Sequence, residues 1–261
     1  MNYKNILAER RGSALWLTLN RPRAMNALTP ELMNELGDAI GQAETNPAVR
    51  ALVITGAGKA FCAGADLKNM SYGNDHAGKF GALTAIATSV LNRIKTTRLP
   101  VIAAVQGIAF AGGLELLLCC DLVIAARSAR IGDGHANFGL VPGGGGSVHL
   151  TQLIGPLRAK ELLFTGASYP AEKLQSMGLV NETVDDDALV ETVEKLVARL
   201  AEKSPLSISC MKKMVANAMT MPYQASLARE AEMALDHTGS DDASEGLAAF
   251  AERRTPEFKG S

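Results

Sequence analysis

The stretch from Leu99 to Ala126, LPVIAAVQGIAFAGGLELLLCCDLVIAA, decides how the rest of the chain is read. By hydropathy alone it is long enough to cross a bilayer, for which about 20 apolar residues suffice. Its punctuation argues otherwise. Pro100, Gln106-Gly107 and Gly112-Gly113 interrupt any single helix, and Glu115 and Asp121 would be costly in hydrocarbon. The stretch divides instead into a buried strand over Val101 to Val105, a glycine-rich turn, a buried helix starting near Gly112 and a short strand over Val123 to Ala125. Strands too apolar for a sheet with one wet face, separated by helices, point to a mainly parallel sheet covered on both sides. The predicted class is α/β, and no membrane span is expected.

Reading upstream, Ala14 to Leu19 alternates as a strand. Thr29 and Pro30 supply an N-cap and a first helical position for a helix to about Glu44, with Leu32, Leu36 and Ile40 on one face. Ala51 to Thr55 is a second strand, closed by GAGK and followed by AFCAGADLKNM, in which a helix is expected near Asp66. Downstream, Ile131 starts a further strand and LVNETV after Gly178 is a last one. The acidic cluster Asp185 to Asp187 is expected to cap a helix whose face carries Leu189, Val193, Leu196, Val197 and Leu200. Beyond Pro205 strand signals stop and three helical stretches follow, about 206–219, 223–236 and 241–254. No Gly/Ser linker precedes them, so residues 1–204 are read as an α/β core and 205–261 as a helical section of the same compact unit.

The 261 residues suffice for one large domain, and 47% hydrophobic with 20% charged residues excludes a largely disordered chain. Lys plus Arg is 26 against 27 for Asp plus Glu, a net charge of −1, which gives no bulk positive field for a nucleic acid backbone or an anionic membrane. No nucleic-acid partner is expected. Cys62, Cys119, Cys120 and Cys210 lack metal-type spacing, which fits a reducing, cytoplasmic setting. The first twenty residues lack the pattern of a signal peptide, so none is expected. His76, in the polar segment SYGNDHAGK, is expected in a mobile loop over a site; His149 and His237 follow a glycine turn and a helix end. None forms a metal constellation, and no metal is expected.

Among the 25 glycines three clusters stand out, at Gly56 to Gly64, Gly107 to Gly113 and Gly139 to Gly146. Phosphate loops fail: Lys59 is followed by Ala60 where a P-loop needs Ser or Thr, and Phe61 stands where a dinucleotide fingerprint needs its third glycine. Ser147 in GGSVH lacks the closing glycine of a nucleophile elbow. What remains is backbone donation. In AFAGGLEL and in CAGADL the turn precedes a helix start, where N–H groups lack helical partners and carry the positive end of the dipole. Two such groups from two turns would receive negative charge on an oxygen; the plainer alternative is tight strand-to-helix packing. Glu115, in the first helical turn amid apolar residues, is either a dipole-stabilised carboxylate or a group able to accept and return a proton. Burial would raise its pKa and the helix start would lower it.

Five blocks in order, LNRPRAMNALTPEL (19–32), LVITGAGKAFCAGADL (52–67), AAVQGIAFAGGLELLLCCDLVIA (103–125), GLVPGGGGS (139–147) and EGLAAFAERRTPEFKG (245–260), resemble the crotonase, or enoyl-CoA hydratase/isomerase, superfamily across nearly the whole chain. The resemblance implies a crotonase-type spiral of repeated ββα units with a helical C-terminal section that builds a trimer, often paired into a hexamer. It implies acyl-CoA thioester substrates, an enolate whose oxygen is held by the N–H groups of Ala65 and Gly112, and no cofactor beyond the coenzyme A of the substrate. Ala63 and Ala65, Asp66, Leu67 and Lys68 match the CoA-contacting loop, and Arg23 with Ala24 the region near the adenosine end. Phe250 and Arg253 match positions that reach the nucleotide from a neighbouring subunit. For Arg23, Lys68 and Arg253, solvated surface charge is the alternative. Pocket walls are expected from Met70 to Thr84 and from the helical section.

Hydratases of this family place water with two glutamates. Glu115 matches the first, but ungapped alignment through DGHANFGLVPG puts His135 where the second would be. An imidazole can accept at one nitrogen and donate at the other near neutral pH. Asp133 would fix its tautomer if the segment is extended, since i and i+2 share a face; a histidine that only packs is the alternative. The expected activity is reversible addition of water across the 2,3-double bond of an enoyl-CoA, with Glu115 as main acid/base and His135 orienting or exchanging a proton with the water. Isomerisation, decarboxylation or carbon–carbon hydrolysis through the same enolate, and CoA binding without turnover, are the competing readings. GLVPGGGGS is expected to support the His135 segment.

Overall fold

A computed structural model describes residues 3–68 and 75–261. Its described strands lie in two sheets. The larger has the order β1-β2-β3-β5-β7-β10, built from Ile6–Arg11, Ala14–Leu19, Ala51–Gly56, Val101–Val105, Leu122–Ala126 and Glu182–Val184. The smaller has the order β4-β6-β8-β9, built from Ala60–Cys62, Ile108–Phe110, Arg130–Gly132 and Ser168–Pro170. β1 pairs antiparallel with β2, β9 antiparallel with β8, and all other pairings are parallel.

The chain climbs as a spiral. In successive turns β3, β5 and β7 enter the larger sheet, and β4, β6 and β8 follow at once in the smaller one. The bends between sheets are where the glycines sit. Gly107, between β5 and β6, has φ +60, and a Cβ there would lie 1.9 Å from the Lys59 carbonyl oxygen of the preceding turn, so a side chain has no room. Beside it the Gln106 amide donates to the Gly56 and Ala60 carbonyls, tying the two bends together.

Both faces of the larger sheet are covered, which explains its near-continuous apolar strands. Leu15, Leu17 and Leu19 of β2 turn towards Leu32, Leu36 and Ile40 of the helix Pro30–Glu44. Ala14 and Trp16, on the alternate face, join Val53, Ile102 and Ile124 against Leu189, Val193 and Val197 of the helix Leu189–Ala201. As expected, Thr29 caps the first of these helices, accepting from the Leu32 N–H. The acidic cluster before the second does not cap it: Asp186 accepts from the N–H and hydroxyl of Ser128, and Asp185 pairs with Arg127. β1 gave no clear sequence signal because Glu9, Arg10 and Arg11 face solvent on the sheet edge.

The helices Pro205–Thr220, Tyr223–Thr238 and Asp241–Glu252 close the chain. Lys212 reaches back from the first to the carbonyls of Ile94 and Leu99 and to Asp121, fastening helix to core. No described helix is long and apolar enough to cross a membrane.

Candidate active site

Two turns from different layers meet at one place. Leu28 forms a parallel bridge with Ala65: its N–H donates to the Gly64 carbonyl at 2.7 Å, and the Asp66 N–H donates to the Leu28 carbonyl at 3.0 Å. In that pairing Ala65 turns its own N–H away from Leu28. Asp66, expected on the CoA loop, has its carboxylate at 2.8 Å from Arg21, which also donates to the Ala27 carbonyl. Fully buried Asn26 donates to the carbonyls of Ala57 and Ala60, so LNRPRAMN buttresses the CAGAD turn.

The second turn is strained. Ala111 has φ +49 and ψ −116, a conformation L residues sparsely populate, and its N–H donates to the Gly132 carbonyl. Gly112 then opens the buried helix Gly112–Leu118, leaving its N–H without a helical acceptor. A Cβ built on Gly112 would lie 3.6 Å from the Ala65 nitrogen, and one on Gly64 3.2 Å from the Gly112 nitrogen. Ala65 and Gly112 line the same cavity, the arrangement two donors need to receive charge on one oxygen.

Glu115 lies one helical turn further on, only 5% exposed. Its Oε1 accepts from the N–H groups of Gly144 at 2.7 Å and Gly146 at 3.0 Å. Burial pushes its pKa up, and these two amides and the charge of His135 pull it back only in part. The GLVPGGGGS turn supports the His135 segment as expected, its Leu140 N–H donating to the His135 carbonyl at 3.1 Å, and beyond that expectation it also holds Glu115. Its glycines allow this because Cβ atoms at Gly144 and Gly146 would sit 2.9 and 3.2 Å from the carboxylate oxygens.

His135 begins the 3-10 turn His135–Phe138 after Gly134 at φ +72. The segment is thus not extended, as the shared-face argument required, yet Asp133 still meets the ring. Asp133 is fully buried; Oδ1 accepts the His135 N–H at 3.1 Å and Oδ2 lies 2.9 Å from Nδ1. Burial would lower the imidazole pKa, but the Asp133 bond and charge, with Glu115 behind them, outweigh it and leave it raised.

Glu115 and His135 share a small cavity of about 40 Å³ with the two turns. An adjoining cavity of about 230 Å³ shares Ala65 and His135 with it and adds Ala63, Leu67, Phe110, Phe138 and Leu140, a largely apolar surface. The inner wall is one face of the helix His76–Thr96, through Phe80, Leu83, Thr84, Ala87 and Leu91. This helix was missed because Gly78, Gly81 and three threonines blur its apolar period, although the spacing 80, 83/84, 87, 91 was there to find. His76, expected in a mobile loop, is instead its first residue, capped by Asp75. Of the expected wall from Met70 to Thr84, residues 70–74 lie outside the described residues.

The remaining expected positions are spread out. Leu67 lines the outer cavity and Lys68 is exposed. Arg23 is exposed and Ala24 half-buried on the short turn Pro22–Ala24, joined to the CAGAD turn by the Ala63 N–H on the Met25 carbonyl. Phe250, 85% exposed, and Arg253 at the end of the helix Asp241–Glu252 line neither cavity. His149 lies 3.3 Å from Lys95 and His237 2.9 Å from the Ser207 hydroxyl. Among the described residues no three His, Cys, Asp or Glu side chains gather to hold a metal.

Comparison with known proteins agrees with this geometry. The family model for Enoyl-CoA hydratase/isomerase matches residues 9–261. A crotonyl-CoA hydratase from Syntrophomonas wolfei is 37% identical over 99% of each chain, and a short-chain-enoyl-CoA hydratase from Clostridium acetobutylicum 34% identical over 97% of each. The crystal structure of an enoyl-CoA hydratase from Bacillus anthracis superposes with a TM-score of 0.94 at 34% identity, covering 99% of this chain and 100% of that one. Spiral, converging turns and full-length similarity together establish that the chain belongs to the enoyl-CoA hydratase/isomerase family.

Proposed function

We propose that this protein is an enoyl-CoA hydratase, adding water reversibly across the 2,3-double bond of an acyl-CoA thioester. The observation that carries the reading is the convergence of the Ala65 and Gly112 amides on the cavity that Glu115 and His135 line. The thioester carbonyl oxygen sits between the two N–H groups. Glu115 takes a proton from water as the water oxygen bonds C3; the π electrons move to the thioester oxygen as an enolate, which the amides hold. C2 then takes a proton from the Glu115–His135 pair, so the proton taken from water is matched by the one delivered. A carboxyl with a raised pKa is suited to both halves of this exchange.

The acyl-CoA runs past Ala63, Ala65, Asp66, Leu67 and Lys68, with Arg23 and Ala24 towards its adenosine end. Asp66 acts there through its backbone, its carboxylate being held by Arg21. Phe250 and Arg253 serve the nucleotide of a neighbouring copy in a trimer or dimer of trimers; the exposed Tyr223, Leu235, Leu247 and Phe250 on the C-terminal helices support such an assembly. No cofactor beyond the substrate's coenzyme A enters, and four free cysteines suit a cytoplasmic setting.

The test is turnover of a panel of enoyl-CoA and 3-oxoacyl-CoA thioesters in oxygen-18 water, with products weighed. A 3-hydroxyacyl-CoA carrying one heavy oxygen is the expected product. A same-mass rearranged thioester, loss of carbon dioxide or a labelled free carboxylate would replace hydration with isomerisation, decarboxylation or carbon–carbon hydrolysis. One observation favours isomerisation as the second reading: the group facing Glu115 is an imidazole rather than a second carboxylate, which suits a single carboxylate moving one proton.

A further inference from the structure

His135 departs from the two-carboxylate arrangement, and the side chain behind it explains how the departure is sustained. Asp133 is 0% exposed, and both its oxygens go to His135, one to the backbone N–H and one to the ring at Nδ1. A carboxylate only accepts, so Nδ1 must carry the proton whether the ring is neutral or charged. The left-handed Gly134 between them folds the chain so that Asp133 grips its neighbour-but-one twice. Rotation of the ring would break the Nδ1 bond and strand a buried carboxylate, which is costly. Among the described residues Nε2 has no protein partner, and His135 lines both cavities.

We infer that Asp133 is a positioning residue: it locks His135 as the Nδ1–H tautomer and thereby makes Nε2, across the cavity from Glu115, the single atom through which His135 exchanges protons. This deepens the hydratase reading and rests on it for its catalytic meaning. The charged groups that face the imidazole are Asp133 on its own segment and Glu115 from the helix Gly112–Leu118; both favour the imidazolium, in keeping with its raised pKa. In the proton balance Nε2–H gives its proton towards C2 while Glu115 holds the proton taken from water, and transfer from Glu115 to Nε2 resets both groups. Asp133 gains and loses none.

The experiment reads the ring itself. With four histidines in the chain, ring nitrogen-15 spectra of the labelled wild-type protein against His135→Ala identify the His135 resonances. The wild type is expected to show, above the imidazole pKa, a protonated Nδ1 and an unprotonated Nε2; the opposite tautomer would overturn the inference without any variant at Asp133. Asp133→Asn is expected to lower the His135 titration midpoint and move the alkaline limb of kcat down with it. At pH 8 kcat should fall about 10-fold, less than the 10²–10⁴ typical of an acid–base group removed outright, with KM little changed, and Asp133→Glu should recover part of it. Asp133→Asn added to His135→Ala should cost nothing further. An unchanged nitrogen-15 titration, or equal losses in both backgrounds, would refute the role. If the wild type shows the Nδ1–H tautomer but hydrates no enoyl-CoA, the hydratase reading falls and the assignment of the tautomer to Asp133 stands.

Discussion

Gly144→Ala puts a single methyl between the two halves of the site. Gly144 has no positive φ, so its backbone tolerates alanine. The new Cβ would lie 2.8 Å from Leu91 Cδ1 and 2.9 Å from Glu115 Oε2. Carbon–carbon contacts settle at about 3.5–4.0 Å, so the leucine must retreat by about 0.7 Å and the carboxylate by about half an ångström. Leu91 is buried and can shift only against other packed side chains, so overpacking should cost about 1–3 kcal/mol. In a chain of this length that lowers Tm by roughly 2–4 °C per kcal/mol. The carboxylate moves off the 2.7 Å bond it accepts from the Gly144 N–H. If a misplacement of 1 Å costs about 100-fold, half that distance costs about 10-fold in kcat. Loss of an amide that lowers its pKa also raises Glu115 further and moves the acid limb of the rate profile upward. The assay is kcat against pH on a short enoyl-CoA beside a thermal melt. Gly178→Ala is the control: at φ +86 with nothing within 4 Å of its Cβ, it should lose stability through backbone strain while leaving turnover intact. Gly144→Ala with kcat and acid limb equal to this control would refute the claim that the glycine turn holds Glu115 in place.

Glu115→Gln should lower kcat about 10²–10⁴-fold yet raise Tm at pH 7–8. A carboxyl whose pKa is raised by folding adds stability below its ordinary value and loses it as pH rises through the folded value, so the ionised group is a net cost at neutral pH; a lower Tm for the variant at pH 8 would contradict this. Gly113→Ala would place a Cβ 2.1 Å from the Cys62 carbonyl oxygen, with backbone on both sides of the clash, and should cost more than about 3 kcal/mol, leaving little soluble folded protein. Asp242 works in the opposite sense. Burial raises its pKa, but the Ser204 hydroxyl and the N–H groups of Gly260 and Lys259 outweigh it and leave it lowered. Its contribution is present above the ordinary aspartate value and lost as pH falls through the lower folded one, so Asp242→Asn should melt earlier than wild type at pH 6 and converge with it only once the pH has fallen below that lowered value. The same variant should expose the C-terminal tail to carboxypeptidase, and equal resistance would separate the tail from Asp242.

Much of this protein was legible before any coordinate. The apolar strands of 101–105 and 122–126, the Thr29 cap and the helices beyond Pro205 follow from periodicity and from residues whose local chemistry leaves few alternatives. The two N–H-bearing turns and Glu115 were readable for the same reason: glycine before a helix and a carboxylate in an apolar run are local anomalies. Apart from the one at Ile131, the short strands of the smaller sheet were not, nor was the helix His76–Thr96, since three-residue strands exist only by pairing with the turn above and a glycine- and threonine-rich helix only by packing on the spiral. Convergence belongs wholly to the tertiary structure. Ala65 and Gly112 are 47 positions apart, Glu115 and Gly144 29, and nothing local measures the distance between them. By itself the sequence determined which residue types stand where: a carboxylate at an apolar helix start, an imidazole, and two glycine-bearing turns before helices. The fold decided that Gly144 and Gly146 hold the carboxylate; the Asp133 contact with the imidazole was expected from their spacing, and the structure changed only its route, a left-handed glycine in place of an extended segment. The reason is physical: a hydrogen bond between distant segments depends on the stacking of whole spiral turns, and no residue's own propensity contains it.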